Sequence, residues 1–300
     1  MAEILAPDGA WTFDGDTLRI VPGGDKSVHE LRKVLGELAI PLAAIAGVSF
    51  EPSRKGGSLQ LRLRSGADPL TDVVSGRLLG AADPYRLAIP KERIGAAEYL
   101  VDEVRTGLTL EQVPSGPSAA LLLPGPAVPV SASAGDGSVS FDGDRVHLEW
   151  TLFAKTAKQT AGPQTIPLSD LAGVEWAPQS GIGYGRLRFH LKGGEPVRPP
   201  EEDPRSLSWG VQRYGGLTAL VAAAVFARLP REAEAPPALP PAAPDDREAL
   251  LRRVAELENQ DALVRRLGEL GRLHRSGVLT DEEFRSAKQV LLRGLGVAGG

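Results

Sequence analysis

The chain has 300 residues, of which 42% are hydrophobic and 24% charged, and its formal net charge is −4. This length suits about two domains, and the composition is that of a globular protein. The charge provides no general basic field for nucleic acid or an anionic membrane. The absence of cysteine excludes disulfides, thiolate chemistry and cysteine-based zinc sites.

The N-terminus and the most apolar stretch together predict a cytoplasmic protein. Residues 1–11 lack a basic segment followed by a long apolar core, so we expect no secretory signal. The most apolar stretch, residues 217–229, has about half the length that a membrane-spanning helix needs.

The sequence contains an internal duplication. "IPLAAIAGVSFEP" at residues 40–52 recurs as "IPLSDLAGVEWAP" at residues 166–178, a shift of 126 residues (166 − 40). "FDGD" at residues 13–16 recurs at residues 141–144, a shift of 128 (141 − 13). Two shared strings in the same order and at nearly the same shift predict two copies of one domain.

Each copy begins with a predicted β-hairpin, because an Asp-Gly pair stands between alternating apolar residues in both. A variable insert follows at residues 23–37 and 151–164, and we expect a short helix near residues 28–35. The repeated "IPL" string then predicts a strand end, a tight turn and a new strand that begins at Val48 or Val174.

The second half of each copy predicts an antiparallel sheet and a closing helix. Leu59, Leu61 and Leu63 alternate with polar residues, which predicts a sheet with one buried and one solvent-exposed face. Residues 97–108 then carry apolar side chains at helical spacing, and residues 217–229 do much the same.

These patterns resemble a known bacterial family. "W-x-F-D-G-D", "IPL-x-x-[IL]-AGV-x-[FW]" and a downstream Asp-Pro pair are similar to a family of unknown function that occurs in tandem. The arrangement also resembles the pleckstrin-homology-like fold. The resemblance implies an α+β chain with two antiparallel barrels, each capped by a C-terminal helix, in residues 1–110 and 134–229. It provides no catalytic residue.

Two proline-rich segments predict linkers, at residues 111–133 and 230–244. The leucines near residue 122 predict that the first linker lies on one of the domains. Residues 245–300 predict a helical module, in which Thr280 and Glu283 form a capping box. This module resembles the SHOCT domain, a short C-terminal helical hairpin, and that resemblance implies association.

The predicted hairpin carries more apolar residues than it can cover alone, so we expect it to contact another copy, a partner protein or the barrels. We favour another copy. The predicted self-association residues are Leu263, Leu267, Leu270, Leu273, Phe284, Leu291 and Leu295.

The candidate chemical motifs favour turns over catalysis. The four histidines stand far apart, and "GGDKS" at residues 23–27 lacks the glycine that a phosphate-binding loop needs before its lysine. The carboxylate pairs at Asp14/Asp16 and Asp142/Asp144 provide too few ligands for calcium. We therefore predict no catalytic, metal or cofactor residues and no enzyme, although a pocket between the repeats stays open as an alternative.

Small basic clusters provide a second alternative. Arg54 and Lys55 lie in a predicted strand-joining loop, and Lys155 and Lys158 lie in the second insert. They are candidate contacts for an anion or a lipid head group, although so few charges bind a membrane weakly. Residues 245–300 carry ten basic and ten acidic residues, so nucleic-acid binding is not expected. The preferred function is a binding or scaffold protein with an unknown protein partner.

Overall fold

The computed structural model describes residues 1–78, 80–180, 183–194, 198–210 and 215–230. The predicted helical module at residues 245–300 lies outside the described residues, and so does nearly all of the second predicted linker.

The first repeat begins with a sheet and a short helix. Its elements are β1 (Ala2–Ala6), β2 (Gly9–Phe13), β3 (Thr17–Pro22), α1 (Glu30–Leu35) and β4 (Leu38–Pro41). The strands form an antiparallel sheet in the order β1-β2-β3-β4. The predicted hairpin joins β2 to β3, and Asp14 Oδ1 accepts hydrogen bonds from the backbone N–H groups of Asp16 and Thr17. The predicted insert helix is α1, whereas β1 was not predicted.

The second half of this repeat forms another sheet and the closing helix. Its elements are β5 (Ile45–Ser53), β6 (Gly56–Leu63), α2 (Pro69–Val74), β7 (Arg86–Pro90) and α3 (Ile94–Leu110). The repeated "IPL" string forms the corner between the two sheets: β4 ends at Pro41 and a 3₁₀ turn at Leu42–Ala44 follows. β5 begins three residues earlier than the predicted Val48, with a bulge between Ile45 and Gly47.

The second repeat has the same order of strands. Its elements are β8 (Val130–Ala134), β9 (Gly137–Phe141), β10 (Arg145–Trp150), α4 (Thr156–Ala161), β11 (Gln164–Pro167), β12 (Leu171–Ala177), β13 (Gly185–Leu191), β14 (Ser206–Trp209) and α5 (Gly216–Arg228). The sheets have the orders β11-β10-β9-β8 and β12-β13-β14. β8 is an edge strand that begins inside the segment predicted as a linker.

The described strands of each repeat pair as two separate antiparallel sheets of four and three strands. This confirms the mixed α+β class, but where two barrels were predicted the described strands form no closed barrel. The physical reason lies at the corner, because Pro41 or Pro167 and the 3₁₀ turn after it interrupt pairing between the fourth and fifth strands.

The first closing helix, α3, is amphipathic as predicted. Ala97, Leu100, Val101 and Val104 are buried, and the helix packs against β5 and β1 of its own repeat. Its other face is exposed and carries residues such as Tyr99 and Asp102.

The second closing helix, α5, differs from this pattern because it is buried on all sides. Every residue from Thr218 to Val225 is buried, so no face of this central part meets solvent. One side packs against β8 and β12 of its own repeat, and another packs against α2 and α1 of the first repeat. The sequence predicted contact with its own sheet only.

The two repeats therefore share one hydrophobic cluster, the shared core, and the first repeat also has a core of its own. Leu31, Leu70, Val73 and Val74 of the first repeat belong to the same buried cluster as the inward-facing residues of the second. A hydrogen bond from Arg77 Nη2 to the carbonyl oxygen of Trp176 also joins the repeats, at 2.8 Å. Residues 1–230 form one compact unit.

The segment between the repeats lies on the first repeat, as predicted. Leu123 is buried in the core of that repeat. The Arg64 guanidinium donates hydrogen bonds to the carbonyl oxygens of Gly116 and Pro117, at 2.8 and 2.9 Å. Among the helices that the structure describes, none is long and apolar enough to cross a membrane.

Candidate functional site

The four basic residues predicted to contact an anion or lipid lie in different environments. Arg54 and Lys55 are exposed at the turn that joins β5 to β6, and Lys155 is exposed at the start of α4. Lys158 is completely buried, with 0% of its surface exposed. This corrects the prediction for Lys158, since a buried ammonium group cannot contact a lipid head group in solution.

Lys158 belongs to a buried polar cluster in the second repeat. Its Nζ donates hydrogen bonds to Asp136 Oδ2 and to the carbonyl oxygen of Ser206, both at 2.5 Å, and lies 4.8 Å from the centre of the Trp150 ring. Burial lowers the pKa of Lys158 below its ordinary value of 10.5, and the charge and hydrogen bond of Asp136 oppose that shift in part.

Asp136 connects this lysine to the sheet edge. Its Oδ1 accepts a hydrogen bond from the backbone N–H of Ser208 at 2.9 Å, and its Oδ2 also accepts one from the Ser208 hydroxyl. The cluster therefore joins α4, the β8–β9 turn and β14. Because its groups satisfy one another, the arrangement holds the insert helix in place and presents no free acid or base.

The first repeat has the matching ion pair. Arg32 on α1 is buried, and its Nη1 lies 3.1 Å from Asp8 Oδ2 in the β1–β2 turn. Asp8 Oδ2 also accepts a hydrogen bond from the backbone N–H of Ala88 on β7, at 3.3 Å. Asp8 and Asp136 are 128 residues apart, and Arg32 and Lys158 are 126 apart, which are the two shifts of the duplication. The shared shifts mark the two pairs as equivalent positions of the two copies.

A second buried hydrogen-bond network lies at the N-terminus of α2. Asp68 caps this helix by accepting hydrogen bonds from the Thr71 backbone N–H at 2.8 Å and the Thr71 hydroxyl at 2.6 Å, and the Tyr85 hydroxyl donates to it at 2.7 Å. Burial, followed by the charge of Asp68, raises the pKa of Tyr85 well above its ordinary value. The tyrosine therefore stays neutral.

A cavity of about 260 Å³ lies beside this network, between β6 and α2. Leu61, Leu63, Leu70 and Val74 contribute to its mainly apolar lining. At its polar end Gln60 donates a hydrogen bond to Asp83 Oδ2 at 3.1 Å. Since Gln60 and Tyr85 already pair within the protein, the cavity can hold a small apolar group but presents no specific recognition chemistry through them.

The turn between β10 and α4 exposes two large apolar side chains that the sequence analysis did not select. Leu152 is 94% exposed and Phe153 is 88% exposed. The next residue, Ala154, is buried and anchors the turn. We call residues 152–153 the apolar tip. Comparison of the two inserts would have revealed it, because the first insert has Lys26 and Ser27 there.

The described histidines serve local structure. His29 Nδ1 accepts a hydrogen bond from the Leu31 backbone N–H and caps α1. His147 Nε2 lies 3.5 Å from Asp142 Oδ2, and His190 Nε2 lies 3.6 Å from Glu175 Oε2. The described part of the chain contains no group of three or more histidine, aspartate or glutamate side chains that could hold a metal ion.

The predicted self-association residues lie outside the described residues. Their contacts, and the association of the module, stay predictions. These residues are Leu263, Leu267, Leu270, Leu273, Phe284, Leu291 and Leu295.

Comparison with known families places both repeats in one family. The family described as "Domain of unknown function (DUF4429)" matches the chain over residues 11–105 and again over residues 139–226. These two stretches cover more than half of the chain and confirm the tandem arrangement predicted from the duplication. Among curated proteins, none matches this chain.

Proposed function

The chain belongs to the DUF4429 family, and we propose that it is a non-enzymatic cytoplasmic binding or scaffold protein. In this proposal the two repeats form one recognition unit and the C-terminal residues 245–300 cause self-association. The partner is another protein of unknown identity.

The burial of α5 between the two repeats carries this proposal. Both repeats cover this helix, which supports a fixed relative orientation and, in this proposal, one rigid surface formed by the loops of both repeats. The buried charged residues support the same conclusion, because Lys158 with Asp136 and Arg32 with Asp8 hold the fold together. A rigid surface suits binding, since little conformational entropy is lost when a partner docks.

The proposal includes two resemblances. Four strands, a corner, three strands and a C-terminal helix in each repeat support a pleckstrin-homology-like fold for residues 1–110 and 134–229, the second extended to residue 130 by β8. The string "GVLTDEEF" supports a SHOCT-like helical hairpin in residues 245–300. A hairpin of about forty residues rarely buries enough surface to fold alone, so a second copy would complete its core.

Sedimentation of the full-length protein tests the self-association. We expect a dimer or larger species at micromolar concentration, and a monomer for the variant Leu267→Asp/Leu270→Asp, because two carboxylates cannot be buried in an apolar contact. The matched control is Glu269→Lys, between the same two positions, which should sediment like the wild type. A monomeric wild type would contradict the proposal.

The alternative function is peripheral binding to a membrane or a lipid head group. Its candidate residues are Arg54, Lys55 and Lys155, since Lys158 is buried. The apolar tip is the specific observation that favours this alternative.

A further inference from the structure

The apolar tip is held in a defined shape. Gln159 Nε2 on α4 donates hydrogen bonds to the carbonyl oxygens of Leu152 and Ala154, at 3.2 and 2.9 Å. The Ala154 backbone N–H donates to the carbonyl oxygen of Thr151 at 3.1 Å. These hydrogen bonds hold the backbone of the turn, while the side chains of Leu152 and Phe153 are exposed to solvent.

The first repeat contains the same turn with a polar tip. There the Val28 backbone N–H donates to the Asp25 carbonyl oxygen at 3.1 Å, as Ala154 does to Thr151. The Ser27 N–H donates to Asp25 Oδ1, as the Phe153 N–H donates to Thr151 Oγ1. Lys26 and Ser27 occupy the two exposed positions. The turn geometry thus requires no apolar side chain, so the fold itself does not account for Leu152 and Phe153 at these exposed positions.

The charge around the tip also differs between the repeats. Residues 151–169 contain two lysines and no acidic residue, and the nearest acidic residue before them is Glu149. The matching residues 25–43 contain three acidic residues. Of the two lysines, Lys155 is exposed and stands two residues after the tip. Two exposed apolar side chains beside an exposed lysine complement an anionic surface with an apolar interior.

We propose that the apolar tip inserts into the surface of an anionic lipid bilayer. Leu152 and Phe153 enter the boundary between head groups and acyl chains, about 5–10 Å deep, and Lys155 pairs with lipid phosphates. A protein partner fits less well, because two projecting residues provide far less area than the roughly 1,200 Å² of a stable interface. This inference does not depend on the self-association proposed above.

Vesicle sedimentation with the full-length protein tests the proposal. Wild type should sediment with vesicles of equal phosphatidylglycerol and phosphatidylcholine at low salt. Leu152→Lys/Phe153→Ser, which copies the tip of the first repeat, should bind at least about tenfold more weakly. Because both positions are exposed, its thermal unfolding midpoint and self-association should match the wild type. The matched control, Lys26→Ala/Ser27→Ala in the first repeat, should bind like the wild type.

Equal binding by the tip variant would overturn the proposal. A wild type that stays in the supernatant with these vesicles would also overturn it and would assign the tip to a protein partner. Binding to vesicles of pure phosphatidylcholine should be weaker, because that surface lacks the anionic charge that attracts Lys155 and the other exposed basic residues.

Site-specific labelling provides an independent measurement, because the chain has no native cysteine. A polarity-sensitive fluorophore on Phe153→Cys should shift its emission to the blue when anionic vesicles are added. The same fluorophore on Ser27→Cys should not shift. An unchanged emission at position 153 would show that the tip stays in water and would overturn the proposal.

Discussion

At the scale of single residues, the two buried ion pairs show how a duplicated fold keeps an interaction while changing its chemistry. Arg32 contacts both the carboxylate and the carbonyl oxygen of Asp8, whereas Lys158 contacts Asp136 and a carbonyl oxygen on a different strand. A guanidinium group donates along several directions, but an ammonium group is a compact point charge. Lys158 also places its ammonium group over the ring of Trp150.

We predict that Lys158→Met destabilises the protein by about 3–5 kcal/mol, because it leaves the charge of Asp136 buried without its partner. Chemical denaturation followed by tryptophan fluorescence measures this change. The matched control is Lys155→Met, at the exposed lysine of the same insert, which should change stability by less than about 0.5 kcal/mol. Equal stability of the two variants would show that the pair contributes nothing.

The residue scale is also where sequence reasoning was least complete. The turn roles of Asp14 and Asp142 were predictable, because Asp-Gly turns have a local cause. The burial of Lys158 was not, because it depends on β14, which lies about fifty residues further along the chain. Lysine is rarely buried, so its local sequence predicts an exposed side chain.

At the scale of elements, the two closing helices differ in how many faces they bury. In α3 the buried residues follow one stripe, and its outer face carries charges. In α5 small alanines surround the larger Leu220 and Val225, and this permits close approach on every side. The stripe of α3 could be read from the sequence. The second face of α5 could not, because its partner α2 belongs to the other repeat.

We predict that Leu100→Ala on α3 lowers the free energy of unfolding by about 2–5 kcal/mol, through lost apolar burial and a residual cavity. Leu100 has no exposed surface, whereas its neighbour Tyr99 is 52% exposed. Tyr99→Ala is therefore the matched control and should lower the free energy of unfolding much less. Thermal or urea unfolding compares them, and similar losses would mean that α3 does not cap the sheet through Leu100.

At the scale of the whole molecule, the shared core should make the two repeats unfold together. Three of the four tryptophans, Trp150, Trp176 and Trp209, lie in the second repeat, so fluorescence reports mainly on that repeat. Val73 lies in the first repeat but belongs to the core cluster of the second. A disturbance at Val73 should therefore reach the fluorescent repeat.

We predict that Val73→Asp lowers the midpoint of the fluorescence transition by several degrees, because it buries an unpaired charge in the shared core. The control is Thr106→Asp on the exposed face of α3, which should leave the midpoint nearly unchanged. A second repeat that melts at its wild-type midpoint in the Val73→Asp variant would show that the repeats are energetically independent.

The burial of α5 on two sides also limits how a further copy could be added to this chain. In repeat arrays, each unit offers its neighbour a free apolar surface, so units can be added without limit. Here both apolar faces of α5, the last helix of the second copy, are already buried. The first copy ends in α3, a helix whose outer face is charged. A third copy added by gene duplication would find no apolar surface of this kind on either closing helix. Conversely, separating the two copies would expose the side of α5 that packs against α1 and α2.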